Sequence, residues 1–112
     1  MATFTKVGFS ADTSGMGILV ATDSTPGTTI HASTSGTTFD EVWLYATNEH
    51  ASAINLTIEF GQATSPIKIS VPASSGLTII IPGLSLGPSK TVAAFAGTVN
   101  KVSIFGYVNR IS

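Results

Sequence analysis

The chain has 112 residues and a formal net charge of −1, which fits one domain able to bury about two thirds of its unfolded surface. Charged residues make up 10% and hydrophobic residues 43%, against about 25% charged in ordinary soluble domains, so Thr, Ser and Gly stand where Lys and Glu usually do. The basic residues Lys6, Lys68, Lys90, Lys101 and Arg110 are scattered, which leaves no electrostatic footprint for nucleic acid. The absence of cysteine excludes disulfides and thiolate metal sites.

A surface poor in Lys and Glu has the composition of a protein interface, and self-association or docking on a partner is expected. The most apolar run, Leu77 to Leu84, is interrupted by Pro82 and Gly83. Neither a signal peptide nor a membrane span is expected.

In chain order, residues 1–17 alternate weakly through Phe4, Val7 and Phe9 and read as an extended N-terminal arm, with Phe4 and Phe9 placed to dock on a neighbouring subunit. Residues 18–112 read as one domain. Ile18 to Thr22 is a short strand, Asp23 to Gly27 a turn built on Pro26 and Gly27, and Thr28 to Ala32 a β-branched strand. Asp40 to Phe60 contains the clearest pattern. Val42, Leu44 and Ala46 face one way and Glu41, Trp43, Tyr45 and Thr47 the other, both sides carrying apolar bulk. Leu56, Ile58 and Phe60 then oppose Asn55, Thr57 and Glu59 as core against solvent. Polar residues 48–52 suggest that the two strands form an antiparallel hairpin with a loop of about five residues.

Ile67 to Val71 alternates with Lys68 and Ser70 as a further strand, closed by Pro72. Leu77 to Ile81 is expected to end at Pro82–Gly83, with Leu84 to Lys90 as a connection. Thr91 to Ala96 and Lys101 to Asn109 complete the set, the last with Phe105 and Tyr107 opposite Val102, Ile104, Gly106 and Val108. No window has helical spacing. About eight short strands with frequent turns predict an all-β chain, an antiparallel β-sandwich of jelly-roll or immunoglobulin-like type, with a small closed barrel as the competing architecture.

No enzymatic motif is present. His31 and His50 lack metal-site spacing. Asp40 and Glu41 are adjacent and point to opposite faces of a strand, so they cannot cooperate as a carboxylate pair. No G-x-S-x-G elbow accompanies the many serines, and the glycines near Gly83 and Gly87 do not make a phosphate loop. The chain therefore reads as a non-enzyme without cofactor or metal. Trp43, Tyr45, Phe105 and Tyr107 are the informative side chains, either covering a second layer within the domain or forming an aromatic surface for a partner or for a stacked sugar. Arg110 could anchor either ligand.

The T-T-I-H-A strand at Thr28 to Ala32, D-E-V-W-L-Y-A at Asp40 to Ala46, L-T-I-E-F-G at Leu56 to Gly61, I-P-G-L at Ile81 to Leu84 and G-Y-V-N-R-I at Gly106 to Ile111 resemble a family of small tailed-bacteriophage virion proteins that decorate or cement the capsid. The resemblance runs from about Pro26 onward. It implies a β-sandwich on the outer surface of the phage head, commonly a homotrimer, that clamps neighbouring major capsid subunits. A neck, tail or fibre-base virion protein and a virion carbohydrate-binding module are the alternatives. The assembly residues expected on these grounds are Phe4, Phe9, Trp43, Tyr45, Phe105, Tyr107 and Arg110.

Overall fold

The alternating β-branched and aromatic residues resolve into strands in a computed structural model, which describes residues 3–111. The strands are β1 (Phe4–Gly8), β2 (Ile18–Leu19), β3 (Thr28–Ala32), β4 (Phe39–Asn48), β5 (Ile54–Phe60), β6 (Pro66–Val71), β7 (Ser75–Leu86), β8 (Thr91–Ala96) and β9 (Val102–Ile111). One antiparallel sheet, called A here, has the order β1-β9-β4-β7, with β2 also on β9. The other, sheet B, has the order β3-β8-β5-β6. The pairs β1·β9, β3·β8, β4·β7 and β5·β6 are the rungs of one long hairpin rolled up on itself, and β4·β9 and β5·β8 close the roll. That connectivity is a jelly roll, so the expected sandwich is present, with separate sheets rather than a closed barrel.

The inner faces meet as expected from the alternation. Val42, Leu44 and Ala46 of β4, Leu56 and Ile58 of β5, Val92 and Ala94 of β8, and Ile104 and Val108 of β9 are all buried between the sheets. This burial is the main favourable term in the fold.

Four expectations need correction. First, β4 and β5 are not a hairpin, because they belong to opposite sheets. The polar stretch between them is a crossover fastened by Asn48, which is buried at the end of β4. Its amide nitrogen donates to the carbonyls of Ser52, Val71 and Pro72, and its oxygen accepts from the His50 amide. A buried amide so fully satisfied fixes where the chain leaves sheet A.

Second, residues 4–8 of the expected extended arm form an edge strand of sheet A. β1 lies along β9 in register from Phe4↔Ile111 to Gly8↔Tyr107, adding a strand to the eight expected. Residues 1 and 2 of the expected arm lie outside the described residues. Third, Phe9 does not face a neighbour, because pairing of β1 with β9 delivers its ring into the core, where it is 2% exposed. The ring sits where a side chain at position 106 would be: a Cβ on Gly106 (φ +146°) would lie 3.1 Å from the Phe9 ring and 2.1 Å from the Trp43 carbonyl oxygen. Only glycine fits there.

Fourth, Pro82–Gly83 does not end the strand after Ile81. β7 continues to Leu86 as the edge of sheet A, where a proline without an N–H is tolerated, and the register against β4 shifts to absorb Gly83.

The placement of the N-terminal residues gives a direct contrast. Phe9→Ala should lower unfolding free energy in urea by about 3–5 kcal/mol, while Phe4→Ala, at a position 69% exposed, should change it by no more than about 0.5 kcal/mol. Similar effects of the two substitutions would contradict the core placement of Phe9.

Candidate functional site

The outer face of sheet A is built by the residues that alternate away from the core, and register stacks them into rows across β1, β9, β4 and β7. Phe4, Ile111 and Phe39 form one row, Lys6, Asn109 and Glu41 the next, then Tyr107 beside Trp43, then Phe105 beside Tyr45 and Ile79. Leu19 lies beside Ser103, which pairs with Thr47. Trp43, Tyr45, Phe105 and Tyr107, separated in sequence, thus meet on one surface. They are half-buried, whereas Phe4, Leu19, Phe39, Leu77 and Ile79 around them are exposed.

The aromatic centre is ordered by specific contacts. Trp43 and Tyr107 stack with ring centroids 6.4 Å apart and planes 13° from parallel, and the Lys6 ammonium lies 4.5 Å above the Tyr107 ring, close enough for a cation–π attraction. The indole overlies Gly83 of β7, where a Cβ would come within 3.1 Å of the ring. The indole N–H donates to Glu41 Oε1 at 2.7 Å and the Asn109 amide donates to the same oxygen at 3.0 Å. These two donors hold the Glu41 carboxyl below its ordinary value.

A second constellation lies between the sheets. The Asp40 carboxylate, fully buried, accepts from Arg110 Nε at 2.9 Å and from the Arg110 Nη2 at 3.0 Å, a two-pronged pairing, and lies 2.7 Å from His31 Nε2. His31 Nδ1 accepts the Ser10 backbone N–H at 3.0 Å. A nitrogen that accepts carries no proton, so this pattern puts the ring proton on Nε2, donating to Asp40. Burial pushes the Asp40 carboxyl up, but hydrogen bonds and charge from Arg110 and His31 outweigh it and leave the group below its ordinary value. The same Asp40 bond raises Arg110.

Arg110, expected on the assembly surface, is therefore turned inward, because it follows Val108 on the core face of β9 and meets an otherwise unneutralised carboxylate. The His31–Asp40 contact escaped sequence reading because strand alternation places Ile30 and His31 on opposite faces. The register of β3 on β8 shifts between Thr29 and His31, and both residues are buried. Asp40 and Glu41 do point to opposite faces, as the alternation requires.

The buried cluster is arranged for cohesion. Both His31 nitrogens are occupied, its ring is out of water, and the Ser10 hydroxyl accepts from the Ala32 amide rather than facing the imidazole. Serine, histidine and aspartate are thus near one another without forming a nucleophile–base pair. Among the described residues no group of three or more His, Cys or acidic side chains could hold a metal ion. On sheet B, a groove of about 410 Å³ is lined by Asn55, Thr57, Lys68, Ile69, Ser70 and Phe95. Thr57 and Glu59, expected on the solvent side of β5, are instead buried while Phe60 is only partly so, because Glu59 accepts from the Thr25 hydroxyl and the Gly27 amide of the preceding turn, both at 2.8 Å.

Comparison with protein-family models, with curated proteins and with solved structures finds no match to this chain.

Removing the Asp40 charge should destabilise the sandwich, since Arg110 loses a buried partner: Asp40→Asn should cost about 3–5 kcal/mol at neutral pH. The pH dependence has a definite sign. With a native value below the unfolded one, the unfolded chain binds the extra proton. The stabilisation is present in full above the ordinary carboxyl value of 3.8 and is lost as pH falls below it toward the native value. Denaturation across pH 2–7 should show that acid-side loss in the natural chain and a smaller one in Asp40→Asn; identical profiles would contradict the assignment.

Proposed function

We propose that this chain is a structural virion protein of a tailed phage, a capsid cement or decoration protein on the outer surface of the head. In this reading it acts as a homotrimer that clamps neighbouring major capsid subunits. The observation that carries the reading is the outer face of sheet A, where an aromatic centre lies beside exposed Leu19, Leu77 and Ile79, with exposed Phe4 and Phe39 beyond the polar row of Lys6, Asn109 and Glu41. Exposed apolar side chains gathered on one face mark interaction sites. The low charge of the chain and the resemblance of its strand motifs to capsid-decorating proteins support the same reading, as does a jelly-roll scaffold with two broad faces. The mechanism is burial of surface, for which about 800 Å² per partner gives stable attachment.

The stacked Trp43–Tyr107 pair beside Glu41 and Asn109 favours one second reading, a virion module that stacks a host glycan on this platform. A neck, tail or fibre-base location would use the same face against a different partner.

Light scattering of the purified protein and sedimentation with empty phage shells test the proposal. Oligomers that pellet with shells are expected. Leu77→Asp together with Ile79→Lys, both at exposed positions, should remove oligomerisation or attachment while changing stability by no more than about 0.5 kcal/mol each. A strict monomer that never pellets with shells would overturn the proposal, and glycan binding lost in Trp43→Ala would favour the second reading.

A further inference from the structure

The segment between Phe9 and β2 is an exposed strap with anchored ends. At its start Phe9 is in the core, and at its finish Gly17 lies against the Phe105 ring, leaving no room for a side chain. Between them, residues 10–11 leave sheet A and lie on the outer edge of β3 in sheet B. The Ser10 N–H donates to His31 Nδ1 at 3.0 Å, the Ala32 N–H donates to the Ser10 hydroxyl at 2.8 Å, and the Ala11 N–H donates to the Ile30 carbonyl at 3.2 Å. The strap thus joins the two sheets along one edge of the sandwich. Its remaining residues are mostly exposed, so little apolar burial opposes its opening.

The same geometry makes the closure dependent on the protonation of one ring. His31 has its single proton on Nε2, aimed at Asp40, and a second proton has only Nδ1 to occupy. That nitrogen already receives the Ser10 N–H, so an added proton would set two donors against each other at 3.0 Å. One side must give way. The Asp40 side is reinforced, because a positive imidazole is drawn to the carboxylate, and Asp40 remains fixed by Arg110 from β9. The groups facing the ring from the other elements carry no charge: β8 presents Val92 in register, and the Phe9 ring lies 5.8 Å away. Asp12 of the strap is bonded to the Ser14 amide rather than to the ring.

We infer that Ser10–Gly17 is a proton-released strap: protonation of His31 expels the Ser10 amide and frees the start of the strap from β3, while the jelly roll stays folded. Histidine is the side chain that ordinarily changes charge between about pH 5 and 8. The device is independent of what the outer face of sheet A binds.

Nuclear magnetic resonance of the full chain tests it by following the His31 ring nitrogens and backbone amide exchange together as pH is lowered through about 8 to 5. Above the transition, His31 should carry its proton on Nε2 alone. As Nδ1 gains a proton, Ser10 and Ala11 exchange, corrected for intrinsic pH dependence, should accelerate by at least about tenfold. The Val20 amide, bonded to Val102, should stay protected. In His31→Gln, which cannot gain the proton, strap protection should not respond to pH over this range. Protonation of His31 with Ser10 and Ala11 still protected would overturn the inference, as would a ring that stays neutral until the whole sandwich unfolds. Strap opening at the same pH in a folded His31→Gln would do so too; if that variant does not fold, the measurements on the natural chain decide.

Discussion

A buried carboxylate needs partners, and the way Asp40 finds them organises one end of this jelly roll. Its oxygens are met by Arg110 from β9 and His31 from β3, and His31 in turn takes the Ser10 amide of the N-terminal segment. Asp40 thus links both sheets and the strap at the edge where they would otherwise part. Removing Arg110 or His31 leaves the fully buried Asp40 carboxylate short of a partner, which costs more than the paired cluster contributes relative to an apolar one. No buried side-chain polar atom among the described residues lacks a hydrogen-bond partner.

That interior arrangement frees the opposite side of the same strands. β4 and β9 are central in sheet A, and each sends one set of residues into the core and the other outward. Inward go Asp40, Val42, Leu44 and Ala46 with Ile104, Val108 and Arg110. Outward go Glu41, Trp43 and Tyr45 with Phe105, Tyr107 and Asn109. The outward set is locked by the indole–carboxylate bond, the ring stack and the close fit over Gly83. A rigid aromatic centre flanked by exposed apolar side chains loses little conformational entropy on docking, which suits the attachment role proposed for this face.

Much of this was legible from alternation alone. The two-sidedness of β4 and β9 and the sandwich itself follow from period-two patterning, whereas the meeting of Trp43, Tyr45, Phe105 and Tyr107 needs the β4·β9 register as well. What escaped depends on long-range choices that period-two patterning does not encode. Whether two neighbouring strands pair or cross to opposite sheets is decided by contacts such as those of Asn48 with Val71 and Pro72, far along the chain. A local register shift buries His31 beside Ile30 and hides the Asp40 partner. Phe9 looked like a free anchor because sparse apolar spacing in residues 1–17 carries no sign that β9 has an open edge to pair with it.

The central functional claim is that the outer face of sheet A is covered when the protein is at work, and the chain carries its own reporter, since Trp43 is the only tryptophan. Acrylamide quenching of Trp43 fluorescence should be measured for the free protein and for the protein bound to phage shells. Coverage of this face predicts that quenching falls by several-fold on binding, as expected for a side chain moved into a desolvated interface core. Unchanged quenching in protein demonstrably attached to shells would show that another surface makes the contact.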